Sequence, residues 1–259
     1  MINWQQHYAA IWRPKHNHLR PVARLDPIRL ERLLQVDRQK QLLITNTQRF
    51  LAGQPANHAL LWGAKGTGKS SLIKALLNEY AADGLRVVEV DKADLIDLPE
   101  IVDHIHMEPY RFILFCDDLS FDSEETSYKH LKSVLEGSIE LPPDNVVLYA
   151  TSNRRHLVPQ TQADNNETLA ARMADTSVLH SDTVEEKLSL ADRFGLWLSF
   201  YPISWQEYQA VVESLFEGVE LAISREELLD AAKLFARSRG TNSARTAKQF
   251  YQSMVERKR

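Results

Sequence analysis

The stretch His58–Tyr80 reads HALLWGAKGTGKSSLIKALLNEY, and its centre, GAKGTGKS at Gly63–Ser70, matches G-x-x-x-x-G-K-[ST]. A strand-length apolar run precedes the match. An amphipathic stretch follows it, with Leu72, Leu76 and Tyr80 aligned with Ile73 and Leu77 on one stripe. This is the strand–loop–helix setting that the motif requires. Glycines let the backbone curl so that its amides converge on phosphate, and the following helix adds its positive N-terminal end. In this reading Gly63, Ala64, Lys65, Gly66, Thr67, Gly68, Lys69, Ser70 and Ser71 form a phosphate cradle. Lys69 reaches the β- and γ-phosphates, and the Ser70 hydroxyl ligates Mg²⁺. The competing reading is a glycine-rich turn with no ligand, and the flanking strand and helix argue against it. No N-K-x-D occurs, so the guanine-reading signature is absent. The expected ligands are ATP and Mg²⁺.

Working outward, short apolar runs alternate with amphipathic stretches. The runs are His58–Trp62, Arg86–Val90, Phe112–Cys116, Asn145–Thr151 and Leu196–Phe200. Each is one strand long, and strands alternating with helices imply a parallel sheet covered on both faces. The third run ends as FILFCDD, delivering Asp117 and Asp118 at the carboxyl end of a buried strand, where α/β sheets place ligands. Asp117 is expected to hold Mg²⁺, and Asp118 to orient or deprotonate the attacking water. The bland alternative is that one aspartate starts a turn. Asp118 is one methylene shorter than the glutamate usual at this position, so either the water sits closer or turnover is slow.

After Tyr201–Pro202 the strand signals stop and three helices follow. Ser204 with Glu207 and Ser224 with Glu227 have capping-box spacing, Gly240 ends the second helix, and the third begins near Asn242–Ser243. The expected organisation is a basic N-terminal arm over 1–27, an α/β core over 28–201 and a small all-helical domain over 202–259. Residues 1–50 hold nine Lys/Arg and three Asp/Glu, a charge of +6 against −10 for the remainder of this −4 chain. Pro14, Pro21 and Pro27 break the arm into extended, irregular pieces that pack on an acidic body, its own or a neighbour's; a phosphate backbone or acidic partner is the alternative. The stretch 28–52 has helical periodicity. Arg154–Asp182 reads as a long polar loop.

With these motifs placed, residues 28–259 resemble an AAA+ ATPase module: a five-stranded parallel P-loop NTPase sheet followed by an all-helical lid. The resemblance implies further roles. Asn153, after the strand NVVLYAT, resembles sensor 1. EEKLSLADRFG at 185–195 resembles the helix that ends in an arginine finger, with Arg193 as the finger; a salt bridge to Glu185, Glu186 or Asp192 is the alternative. GTNSAR at 240–245 resembles sensor 2, with Arg245 reaching back to the phosphates, and LLQVDRQKQ at 33–41 resembles the segment covering adenine, with Val36 as the contact. The stretches RFILFCDDLSF, ATSNRRHLVP and LADRFGLWLSFYP are similar to a bacterial group of AAA+-type proteins of unknown function.

The resemblance implies an ATPase that assembles as a homo-oligomer and remodels or assembles a protein or nucleic-acid partner. Two alternatives stand beside it: a DNA-associated helicase loader or transposition helper, and a nucleotide-gated scaffold with little turnover. Lys92–Arg111 has room for one helix only, which counts against the initiator branch, and it lacks the aromatic pore-loop pair of polypeptide unfoldases. His16/His18 and His104/His106 are H-x-H pairs without a third ligand nearby, so zinc is not expected. Trp197, Phe200, Tyr201 and Trp205 are read as core and hinge. Apolar residues make up 44% of the chain, enough for a substantial core. One cysteine, no membrane-length apolar run and no signal-type N-terminus fit a cytoplasmic protein.

Overall fold

The computed structural model describes residues 2–119, 131, 143–153, 193–220 and 223–255. The polar loop 154–182 and the start of the helix over 185–195 lie outside these residues. Among the described residues, seven strands form one sheet: β1 (Ala9–Arg13), β2 (His18–Pro21), β3 (Ala59–Gly63), β4 (Leu85–Val90), β5 (Arg111–Cys116), β6 (Val146–Ser152) and β7 (Leu196–Phe200), in the order β2-β1-β4-β5-β6-β3-β7. All neighbouring pairs are parallel except β1 with β2.

The five expected strands are contiguous and parallel from β4 to the edge strand β7, and two further strands extend the sheet beyond β4. The N-terminal arm is therefore not irregular. Its apolar run supplies β1, which pairs with β4 through Ala9↔Val87, Ala10↔Val88 and Ile11↔Glu89. Pro14 falls in the turn after β1, and Pro21 ends β2, an edge strand, where a missing N–H costs no ladder bond. The arm is anchored by Trp4 and Trp12, both buried. Arg86 is also buried, donates to the Trp4 carbonyl at 2.8 Å, and lies between the rings of Tyr8 and Tyr110.

Helices α1 (Asp37–Leu51) and α2 (Lys69–Tyr80) cover one face of the sheet. The short α3 (Leu98–Asp103), with Leu98 and Ile101, packs in the core of the other face. Central strands β5 and β6 are almost wholly buried, and their near-continuous apolar sequence follows from that. The helical periodicity read over 28–52 holds only from Asp37. Before it the chain makes a 3₁₀ turn at Leu30–Arg32 and then runs non-helically, with Gln35 at φ +63°. Helices α4 (Trp205–Phe216), α5 (Arg225–Arg239) and α6 (Ala244–Val255) enclose a separate apolar core that includes Tyr208, Val212, Ala232 and Phe250. Both capping boxes form, and Gly240 closes α5 in the left-handed conformation.

One half-buried titratable group ties the sheet to pH. His58, just before β3, accepts the Leu148 backbone N–H at Nδ1, 2.9 Å away, and burial pushes its pKa down from 6.5 to about 4. The folded state therefore resists a proton that the unfolded chain takes up below pH 6.5. Stability is full above that value and falls as pH drops toward 4. Between pH 7 and pH 5 the loss is expected to be about 2 kcal/mol. In urea unfolding, His58→Asn should lose less over the same interval, because its amide stays neutral. An equal loss in both proteins would show that another group is responsible.

Candidate nucleotide site

The parallel register places three strand ends side by side. Trp62 of β3 is opposite Ser152 of β6, and Cys116 of β5 is opposite Ala150. The residues that follow, Gly63–Ser70, Asp117–Asp118 and Asn153, therefore emerge along one edge. At Gly63, φ is +129°, and a Cβ would lie 2.0 Å from the Phe200 carbonyl oxygen, so β7 closes on the start of the loop as no side chain would allow. The Ala64 N–H donates to that oxygen at 2.9 Å. Gly68 caps α2, so the helix N-terminus opens into the loop.

The side chains join in one network. Lys69 is buried, and its Nζ donates to the carbonyls of Gly63 at 3.0 Å and Ala64 at 2.7 Å, and to Asn153 Oδ1 at 2.9 Å. Asn153 Nδ2 in turn donates to Asp118 Oδ1 at 2.6 Å. Asp117 Oδ1 accepts from the Ser70 hydroxyl at 2.6 Å and the Thr151 hydroxyl at 2.5 Å. Thr151 Oγ1 also accepts the Asp118 N–H at 2.9 Å. Asp118 has φ +55°, a sparsely populated conformation for a residue other than glycine; Thr151 holds it through these bonds and through its own carbonyl, which accepts Leu119 N–H at 2.7 Å. Burial pushes Lys69 down from 10.5 to about 8, opposed by Asp117 and Asp118 and assisted by Arg245 and Lys65.

The C-terminal helices reach the same place. Gly66, at φ +77°, would put a Cβ 2.7 Å from Ser243 Oγ and 3.2 Å from Arg245 Cβ. The first turn of α6 thus rests on the top of the loop, with Arg245 N–H 3.4 Å from the Gly66 carbonyl. Ser243 caps that helix, its Oγ accepting Thr246 N–H at 3.2 Å. The segment before α1 spans both bodies: Leu33 and Val36 are buried in the core beneath α1 and α2, while Leu34 packs among the C-terminal helices.

Of the expected residues, Gly63–Ser71, Asp117, Asp118, Asn153 and Arg245 are gathered at one edge. Lys65 and Arg245 are exposed there. Val36 is buried at the start of α1, and Leu33 of the same segment lies beside the loop, 4.0 Å from where a Gly68 Cβ would be. Arg193 is elsewhere. It precedes β7, whose Leu196 is opposite Ala59, while Phe200 is opposite Gly63. Four residues of strand, about 13 Å, separate Leu196, three residues after Arg193, from the level of the loop. Thr151, Ser243 and Leu33 were not singled out from sequence. Thr151 was hidden in an apolar strand, and Ser243 was legible only as a helix cap.

The donor set fits a magnesium nucleotide. The loop carries glycines in left-handed conformations, a helix N-terminus and a lysine, all suited to phosphate. The Ser70 hydroxyl and Asp117 carboxylate are adjacent hard oxygen donors, of the kind Mg²⁺ takes beside phosphate and water.

A stretch of 70 residues is 36% identical to the replication factor C large subunit of Ignicoccus hospitalis, covering 26% of this chain and 14% of that relative. The RuvB Holliday junction branch migration motor of Thermotoga maritima superposes with a TM-score of 0.45 at 15% identity, over 89% of this chain and 72% of its own. A RuvB mutant gives 0.49 at 13% identity, over 85% and 70%. The family described as "Protein of unknown function (DUF815)" matches residues 5–258. With a P-loop strand between β6 and β7, acidic and polar groups on the adjoining strand ends and helices resting on the loop, the architecture agrees with the AAA+ resemblance read from the sequence, and the chain belongs to the family that matches it over residues 5–258.

Proposed function

We propose that this chain is a Mg²⁺-dependent ATPase that couples ATP binding and hydrolysis to remodelling or assembly of a macromolecular partner. The observation that carries the reading is the continuous network Ser70–Asp117–Thr151 and Lys69–Asn153–Asp118 at the edge where α6 meets the loop. Magnesium-ATP, when bound, supplies an electrophilic phosphorus and a leaving ADP. Lys69 and the loop amides hold the phosphates, and anionic oxygens beside Lys69 favour its charged form against the burial that lowers its pKa. Ser70 and Asp117 hold the metal. Asp118 accepts the proton of the attacking water at its carboxylate, and Asn153 fixes that carboxylate and the water. Arg245 brings a cation from the C-terminal helices, so their angle relative to the core depends on what the site holds.

Lys69→Ala is the test. A titration with a fluorescent ATP analogue should show affinity weakened by at least about tenfold, the scale of one charge-assisted hydrogen bond. Unchanged affinity would mean that the nucleotide sits elsewhere. One observation favours a second reading, the nucleotide-gated scaffold: the short Asp118 side chain is already engaged by Asn153 at 2.6 Å. Steady-state turnover separates the two, since tight binding with negligible hydrolysis supports the scaffold.

A further inference from the structure

We infer that the cavity between α2 and the N-terminal strand pair is an effector site for a compact apolar zwitterion, of the class of a large aliphatic or aromatic α-amino acid. The cavity measures about 250 Å³ and lies on the α2 side of the sheet, away from the phosphate loop. Its walls include Ile11, Val22, Leu25, Ile73, Leu77 and Phe115. That volume is below the usual range for drug-sized ligands and suits one apolar body of about a dozen heavy atoms.

The carrying observation is Glu89. Strand β4 is paired on both sides, and every other residue in it is buried. Glu89 stands level with Ile11 of β1 and Phe115 of β5, where the pattern of a covered parallel strand calls for an apolar side chain. It is instead an exposed carboxylate that lines the cavity. The opposite sign is present too. Arg24 lines the cavity, and among the described residues it makes no ion pair, whereas Lys74 is 3.9 Å from Asp26. With Lys74 beside Asp26, an ammonium against Glu89, a carboxylate against Arg24 and an apolar body in the cavity meet the two remaining charges and the apolar part of the lining. An apolar anion or a bare amine meets only one of the two charges. Ile73, Lys74, Leu77 and Asn78 come from α2, which begins at Lys69, so a bound ligand braces the helix that carries the phosphate-binding lysine.

Thermal unfolding of the full chain without nucleotide tests the site. At 10 mM, L-phenylalanine or L-leucine should raise the midpoint saturably by about 3 °C if affinity is near 1 mM. Glycine and 3-phenylpropionate should do much less. Glu89→Gln should weaken the effect at least about tenfold while leaving the ligand-free protein folded, and Val22→Phe, which fills the cavity, should remove it. If Val22→Phe does not fold, Glu89→Gln decides. No saturable shift, an equal shift with glycine or 3-phenylpropionate, or an undiminished shift in Glu89→Gln would overturn the site. The effector role rests on the ATPase reading and is measured separately. Saturating phenylalanine should change the affinity for ATP at least about threefold, and no change would overturn that role. The melting shift should persist in Lys69→Ala, so failure of the cavity and failure of the nucleotide site are distinguishable.

Discussion

Asp118→Asn is expected to keep magnesium-ATP bound while hydrolysis falls by about two to four decades, the usual contribution of a positioned base. The variant isolates chemistry from structure. Asn153 Nδ2 donates to Asp118 Oδ1 at 2.6 Å, and an asparagine retains that acceptor. The bond from Asp118 N–H to Thr151 Oγ1 belongs to the backbone and is unaffected. The left-handed conformation at φ +55° suits asparagine better than almost any other non-glycine residue, so the turn should not rearrange. What is lost is the carboxylate's capacity to take a proton. Single-turnover hydrolysis beside a nucleotide-binding titration reads both quantities. Wild-type hydrolysis in the variant would remove Asp118 from the role of base, and loss of binding would show that its charge supports the metal instead.

The parts of this site that were legible in the sequence are those where a local pattern and its setting agree. GAKGTGKS lies between a strand-length apolar run and an amphipathic stripe, and the structure has β3, the loop and α2 there. FILFCDD placed two carboxylates at the end of a buried strand, and Asp117 and Asp118 follow β5. Capping-box spacing located the starts of α4 and α5 to the residue.

What was missed depends on partners distant in sequence. Strand β1 is five residues of AAIWR whose identity as a strand comes from pairing with β4, more than seventy residues away. The nearby prolines suggested irregular chain because nothing local shows that they fall in a turn and at an edge. Ser243 matters at the loop only because Gly66 leaves room for it, and no sequence pattern relates the two. Leu33 lies beside Gly68 in a stretch that is not yet helical, the chain turning left-handed at Gln35 before α1 begins, and the leucine periodicity does not show that turn.

Arg193→Ala is expected to bind ATP normally and to hydrolyse it about three to five decades more slowly, as removal of an arginine finger does. The sheet gives the reason to look to a second copy. Strand β7 runs parallel to β3, with Phe200 level with Gly63 and Leu196 level with Ala59. Arg193 is three residues before Leu196, the end of β7 away from the phosphate loop. If it acts on a nucleotide, that nucleotide belongs to a neighbour. A guanidinium suits the task because it stays charged and forks onto phosphate oxygens as charge builds there. The competing role is a structural ion pair within the chain, of the kind helix-end arginines often make. Mixing separates the two. Arg193→Ala supplies an intact phosphate cradle, and Lys69→Ala supplies an intact finger. Each alone should be inactive, and together they should recover part of the activity. The recovered rate should rise with total protein concentration, because it depends on assembly. A structural role predicts no recovery and a lower melting midpoint for Arg193→Ala without nucleotide. Normal hydrolysis by Arg193→Ala on its own would sink the finger assignment, whatever the mixing shows.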